Sequence, residues 1–408
     1  MSQDKTPSTL MSYEFCALCV VSLVCFCNLA IFYGFYNYLQ YLNIDPHWRG
    51  PLLALEPLTA LALRPYLSGI LNLGNSTRAM RLGSGLAIMA LLCYPFAESA
   101  PSIALVRVIH GAGYVTLASG LMAAFTHFLP RDRVAQGFGL LSLTSLLPSA
   151  LMPPFVETVT PFLPAPGWAY AMAAPLMLPA ILLLAPLGRK SRALAAALPP
   201  EDTRRPAWSE VLSGLREPGV LPLILGNFCL TSGHTIVYFF MKSWSLTIGV
   251  VNPGLFFTFA NLATIAVRVL GMRSLDTLNP GRAAGLAMIF LAGLVPCFGL
   301  ATRMGLGSGE HALLYMAGLY GVALGLGMPM FNAAMYRVSQ PKLRGTNTNL
   351  LLVALDAGFI LGPVIGGWAL AAGLSLQSLF VVSGGLLLAS GLAVLPVGRL
   401  TPAEPRKV

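Results

Sequence analysis

Apolar residues in this chain come in long runs, each about 20 residues, with none of the two-residue alternation of barrel strands. Twelve such runs can be marked, at roughly 14–40, 51–72, 80–99, 101–127, 137–158, 166–188, 219–244, 252–272, 281–301, 312–337, 346–372 and 376–397. Each has the length an α-helix needs to cross a bilayer. Lipid offers no partner to a backbone N–H or C=O, so a spanning segment must close its hydrogen bonds internally, as a helix does. The pattern predicts an all-α integral membrane protein with twelve transmembrane helices, called spans one to twelve below. Glycine and proline recur inside the runs, which membrane helices tolerate.

Composition supports the same reading. The chain has 408 residues, of which 56% are hydrophobic and only 10% charged. A soluble domain carries about 25% charged residues, so this one could not cover its surface in water. The net charge of +10 would suit a nucleic-acid binder. The basic residues, however, sit in short clusters between the runs, as in cytoplasmic loops, and no nucleic-acid partner is expected. Arg78, Arg81, Arg131, Arg133, Arg189, Lys190, Arg192, Arg282, Lys342 and Arg344 fall on one side. Arg49 and Arg303 fall on the other, with Lys242 at a boundary. This asymmetry predicts a multi-pass protein of the cytoplasmic (inner) membrane with both termini in the cytoplasm. The seven cysteines all lie inside apolar runs, which points to buried thiols rather than disulfides. The first run lacks a small-residue cleavage site and is expected to stay as span one.

The longest gap, 189–218, is rich in alanine, proline and charge. It predicts a linker between an N-terminal six-helix bundle (1–188) and a C-terminal one (219–408). Within it Trp208, Val211, Leu212 and Leu215 follow helical spacing, so a short amphipathic helix anchored at the membrane surface is expected. The halves repeat: Arg64 and Arg268, Asn72 and Asp276, Asn75 and Asn279, Arg78 and Arg282 are all separated by one constant offset. Two pseudo-symmetric bundles of this kind suggest a transporter that rocks one half against the other.

At these residues the sequence resembles the major facilitator superfamily. Arg64-Pro65-Tyr66-Leu67-Ser68-Gly69-Ile70-Leu71-Asn72, followed by Arg78, is similar to the signature between spans two and three, with a second copy from Arg268 to Asp276 and then Arg282. The resemblance implies a cytoplasmic charge cluster that latches the halves. Asn72 stands where the family usually has an acid, so only Asp276 would supply the charged version. Arg107-Val-Ile-His110-Gly111 resembles the family's RxxxG signature, which implies a buried arginine engaged in proton coupling. The run from Asp356 through Gly362-Pro363 to Gly366-Gly367 is similar to a glycine–proline pattern of antiporter members, best known there in span five. Proton-coupled efflux permeases, of the drug or sugar-efflux kind, are the nearest group. The resemblance implies alternating access with protons as the coupling ion, a small-molecule substrate, and a monomer in the lipid bilayer.

A charge at mid-bilayer costs roughly 2.5–3.5 kcal/mol on insertion scales, so each intramembrane charge calls for a reason. Arg107, His110, Gly111 and Tyr114 share one face of span four. An arginine keeps its proton, so Arg107 either binds an anion or tunes a carboxylate. The alternative is an arginine that snorkels or pairs with helix carbonyls. Glu56 is the first candidate for that carboxylate and for a coupling proton, unless it is simply an interfacial acid. Asp356 is the second candidate, or a latch to Arg64 or Arg268. Asn28 and Asn227 offer hydrogen bonds to a substrate or between helices. His234 is a ligand or a packing histidine. Tyr33, Tyr36 and Tyr238 line a cavity or belong to an interfacial belt.

The function expected is proton-coupled export of a small organic molecule. Uptake of an anionic metabolite clamped by Arg107 is one alternative. Soft-metal or metal-chelate transport through Cys16, Cys19, Cys27, Met328 and Met330 is another, and a transport-inactive receptor a third. No HExxH, GxSxG or Walker loop is present, so neither an enzyme nor a bound cofactor or metal is expected.

Overall fold

The computed structural model describes residues 11–125, 127–128, 134–197, 208–271, 277–303, 309–340 and 343–401. Among them there are helices and turns and no strand. Every expected span is helical: Tyr13–Tyr41, Pro46–Ile70, Leu73–Phe96, Ala100–Phe125, Val134–Val159, Trp168–Ala197, Val220–Thr247, Leu255–Leu270, Pro280–Leu300, Gly309–Val338, Arg344–Ala371 and Leu376–Arg399. Span eight, Leu255–Leu270, is apolar but short. Span two, Pro46–Ile70, carries Arg49, Glu56 and Arg64 along its length.

The helix ends follow local chemistry that the apolar pattern does not see. Span three begins at Leu73 rather than near residue 80 because Asn72 caps it. The Asn72 side chain accepts from the Asn75 N–H at 3.1 Å, and Asn75 Oδ1 accepts from the Asn72 N–H at 2.8 Å. This reciprocal box satisfies two backbone donors that a helix start leaves open. Span nine is capped instead by Asn279, which accepts from the Arg282 N–H at 3.0 Å. Asn279 corresponds in the repeat to Asn75, so the two copies start their helices in different registers. Asp276 lies outside the described residues. Spans seven and eleven are followed by Gly249 (φ 80) and Gly373 (φ 87). A left-handed residue turns the chain off the helix there, and glycine adopts that conformation without strain.

Span six continues through Ala197, so the first part of the expected linker is helical. Lys190, on this extension, pairs with Glu14 of span one and lies over the Tyr13 ring. The short helix Trp208–Leu215 is present. It is held to protein as well as being amphipathic. Just beyond it the buried Glu217 accepts from Asn347 Nδ2 at 2.7 Å and from the Gln340 N–H at 3.1 Å.

The Asn72 cap gives a direct test. Asn72→Ala should cost about 1 kcal/mol, a fall in Tm of about 2–4 °C. Asn72→Asp keeps the cap and places negative charge at a helix N-terminus, which is favourable by roughly 0.3–1 kcal/mol. Thermal unfolding of the purified variants would measure both. An alanine variant as stable as the wild type would show that the cap does not hold this end.

Contacts divide the chain into two compact units. One comprises Met1–Phe32, Ala62–Met152 and Phe162–Arg204, the other Tyr33–Leu61, Pro153–Pro161 and Arg205–Val408. In the first unit spans three and four meet backbone to backbone. A Cβ on Gly113 would lie 2.8 Å from the Ala87 nitrogen, and one on Gly120 2.8 Å from the Ser76 oxygen. Lipid supplies no hydrophobic drive between helices, so such close packing, together with interhelical hydrogen bonds, has to hold them. The second unit adds the hydrogen bonds. Ser383 and Ser390 of span twelve donate to the Gly233 and Gly226 oxygens of span seven at 2.8 and 2.7 Å. Thr264 of span eight donates to the Gly321 oxygen of span ten at 2.8 Å.

Candidate functional site

The first unit has a polar centre where spans one, three, four and six meet. Arg107 is 2% exposed and His110 is fully buried. His110 Nε2 lies 3.1 Å from Asn28 Oδ1, and its Nδ1 lies 3.2 Å from the Tyr94 hydroxyl. An amide oxygen only accepts, so Nε2 donates to Asn28, while Nδ1 and the Tyr94 hydroxyl share a hydrogen bond in which either group is able to donate. Phe32 stands at the middle of the group. Its ring stacks on Tyr170 with centroids 4.4 Å apart and lies 5.0 Å from both the Tyr94 and His110 rings. The Arg107 guanidinium sits 5.3 Å from the Phe32 centroid. A cation over an aromatic face in dry surroundings is stabilised by the ring quadrupole. Nearby, Ser22 of span one and Thr144 of span five share a hydrogen bond of 2.7 Å. Gly111 is buried beside this centre, while the close helix contact falls two residues on, at Gly113.

The second unit has its own charged group. Glu157, near the end of span five, accepts through Oε1 from Lys242 Nζ of span seven at 2.5 Å and from the Tyr33 hydroxyl. The side chains of Lys242 and Glu157 are only 15% and 13% exposed. Span one changes from α to 3₁₀ geometry over Ile31–Gly34, the turn that carries Tyr33. A short tight turn inside a long helix often marks a functional site. Gly34 makes room for the lysine stem: a Cβ there would lie 2.9 Å from Lys242 Cδ. The Tyr33 ring lies against Phe257 of span eight at 5.4 Å, as does Tyr238 at 5.6 Å.

Other candidates of the second unit have mainly protein partners. Asn227 Nδ2 donates to the Leu351 oxygen at 2.8 Å, tying span seven to span eleven. His234 Nδ1 lies 2.7 Å from the Tyr320 hydroxyl and stacks on its ring. Gly362 and Pro363 are buried in span eleven, and the Pro363 carbonyl lies against Gly50 of span two. Glu56, Asp356, Arg64 and Arg268 are half-buried, while Asn72, Arg78 and Arg282 are exposed. Arg107, His110 and Asn28 thus belong to the first unit, and Tyr33, Glu56, Asn227, His234 and Asp356 to the second. Among the described residues no three His, Cys, Asp or Glu side chains gather as a metal site requires.

The sequence reading overlooked Glu157 and treated Lys242 as a boundary residue. A signal was present: each is a lone charge inside an otherwise apolar run, and the two have opposite signs. Nothing in the spacing along the chain says that the two meet, because spans five and seven are far apart in sequence. Tyr94 was missed because a tyrosine near a span end reads as part of an interfacial belt, and Tyr320, well inside span ten, because it looks like any packing aromatic.

A sequence model described as Major Facilitator Superfamily matches residues 18–306. No curated protein sequence matches the chain. Solved structures do, along almost its whole length. The nucleoside transporter NupG, as a point mutant, has a TM-score of 0.75 at 12% identity, covering 94% of this chain and 99% of its own. A point mutant of the peptide transporter POT in complex with alafosfalin gives 0.70 at 13%, covering 95% and 94%. A bacterial homolog of the human lysosomal transporter Spinster, in an inward-facing and occupied conformation, gives 0.68 at 14%, covering 97% of each chain. At such identities the likeness is one of fold.

Proposed function

This chain belongs to the major facilitator superfamily, and from that premise we propose that it is a secondary transporter of the efflux-permease type. It works by alternating access between the bundles 1–188 and 219–408, joined by the linker 189–218. It exports a small organic molecule in exchange for protons. It is a carrier rather than an enzyme, a monomer without a cofactor in the cytoplasmic membrane, with both termini in the cytoplasm.

The observation that supports this reading is the polar centre around Arg107. A guanidinium 2% exposed in an apolar helix is costly and keeps its charge. It is therefore a fixed positive site for an anionic group of the cargo, while Glu56 and Asp356 are half-buried candidate carboxylates of the second unit. His110, Asn28 and Tyr94 form a hydrogen-bonded chain beside it. On the cytoplasmic side Asp276, with Arg268 and Arg282, serves as the latch that Asn72 with Arg64 and Arg78 provides only as an uncharged counterpart. The same Arg107 charge favours a second reading, uptake of an anionic metabolite.

The test is transport by the purified protein in liposomes, against compounds first selected by thermal shift from a metabolite and drug panel. A pH gradient should drive flux of at least one compound, and a protonophore should abolish that drive. Reversing the gradient should reverse the net flux, and inverted membrane vesicles should separate export from uptake. Flux that ignores the pH gradient would overturn proton coupling.

A further inference from the structure

We propose that Glu157 is a proton-binding site of this carrier, with Lys242 as its counter-charge and Tyr33 as its positioning residue. The proposal rests on the proton-coupled reading above and assigns the proton to a carboxylate that the sequence did not single out.

The geometry carries it in three steps. First, both donors converge on one oxygen. Lys242 Nζ and the Tyr33 hydroxyl both bond Glu157 Oε1, and among the described residues no donor reaches Oε2. One oxygen is committed to holding the pair and the other is left for a proton. Second, the charges are balanced. The pair is neutral and only 13–15% exposed, and buried opposite charges of this kind are kept where each has the other. Span one contributes Tyr33 and span seven Lys242, with Tyr238 one turn before Lys242 packed on the same Phe257 ring of span eight as Tyr33. Among the described residues Lys242 is the cation paired with Glu157. The segment leading into span eight meets span five through uncharged groups, Asn252 on the Pro154 oxygen and Gly254 against the Pro153–Pro154 backbone. Third, the fold makes room for the pair, because Gly34 admits the Lys242 stem on the 3₁₀ turn that carries Tyr33.

The step is a simple protonation. A proton from the aqueous side adds to Oε2, converting the carboxylate to a carboxylic acid. Lys242 keeps its ammonium protons and Tyr33 its hydroxyl proton, so the group goes from neutral to singly positive. The ion pair between spans five and seven is then lost, and Lys242 becomes an uncompensated cation. Release of the proton restores the pair. One protonation therefore changes both the charge of the group and the tie between two helices, as a coupling site must.

The experiment uses the full-length protein in phosphatidylcholine–phosphatidylglycerol nanodiscs, with protons as the only ligand. Infrared difference spectra between neutral and acidic pH should contain, beside the absorption of the exposed carboxyls, a separate carbonyl stretch at the higher frequency of a protonated carboxyl in apolar surroundings. Glu157→Gln should remove that band completely, while Glu56→Gln and Asp356→Asn should retain it. In Lys242→Met the band should already be present at neutral pH, because a carboxylate left in apolar surroundings without its counter-charge takes up a proton. Tyr33→Phe should keep the band but move its frequency, since a hydrogen bond to the carboxyl is lost. These two variants test the assignment even where Glu157→Gln does not fold. A band that survives Glu157→Gln, vanishes in Glu56→Gln or Asp356→Asn, or is absent from the wild type overturns the proposal. The transport reading fails separately. No pH-driven flux in the wild type overturns that reading, whichever carboxyl binds a proton. pH-driven flux with the band intact in Glu157→Gln overturns only the assignment of Glu157.

Discussion

Replacing Arg107 with alanine is expected to reduce pH-driven flux by roughly 100-fold or more while leaving the protein folded. Two orders of magnitude correspond to about 2.7 kcal/mol, within the range for losing hydrogen bonds to a charged group. The arginine is buried and held against the Phe32 ring at 5.3 Å, so water cannot replace it as it would at a surface. Folding should survive because the surrounding Phe32, Tyr170, Tyr94 and His110 rings pack on one another as well as on the guanidinium. Arg107→Lys should recover only part of the activity. Lysine restores the charge but not the planar fork that binds a carboxylate through two hydrogen bonds or lies flat on a ring. Initial rates in liposomes with and without a pH gradient would measure this, with size-exclusion profiles as the folding control. Normal pH-driven flux in the alanine variant would remove Arg107 from the mechanism and leave it a packing residue.

The second large effect is expected on stability. Gly113→Val puts a branched side chain where a single Cβ would already lie 2.8 Å from the Ala87 nitrogen and 3.0 Å from the Gly83 oxygen. Both obstacles are backbone, so no rotamer change relieves them, and spans three and four must separate. Overpacking a core costs typically 1–3 kcal/mol. With backbone on both sides the upper end applies, a fall in Tm of roughly 6–12 °C and reduced yield from the membrane. Gly85→Ala is the control on the same helix pair, because a Cβ there meets nothing within 4 Å. It should be neutral or slightly stabilising through helix propensity. Equal thermal stability of the two variants would refute the close-contact account.

The candidate site was legible in part. Arg107, His110 and Asn28 stood out because a charge, an imidazole and an amide are each unusual in an apolar run, and the first and third do lie at the same polar centre as the second. Their partners were not legible. Tyr94 reaches His110 from the end of span three, and Phe32 and Tyr170 come from spans one and six. An aromatic residue at these places looks the same in sequence whether it faces lipid, headgroups or a buried guanidinium. Glu157 and Lys242 show the same gap for charge. Each could be seen as out of place, but the neutrality of the pair exists only once spans five and seven are side by side.

By itself the amino-acid sequence determined that this is an all-helical membrane protein, how many spans it has, and approximately where each runs. The reason is that lipid imposes two local rules, an apolar side-chain run of fixed length and internal satisfaction of the backbone, and both are written into consecutive residues. The short helix Trp208–Leu215 was legible on similar grounds, through its spacing. Tertiary structure alone decided which glycines touch, which hydroxyls tie helices together, and which buried charges neutralise one another. Lipid is as apolar as a helix surface, so hydrophobicity does not choose helix partners. That choice falls to close fits such as Gly113 on Ala87 and to single polar bonds such as Ser383 on the Gly233 carbonyl, whose partners are separated by long stretches of chain.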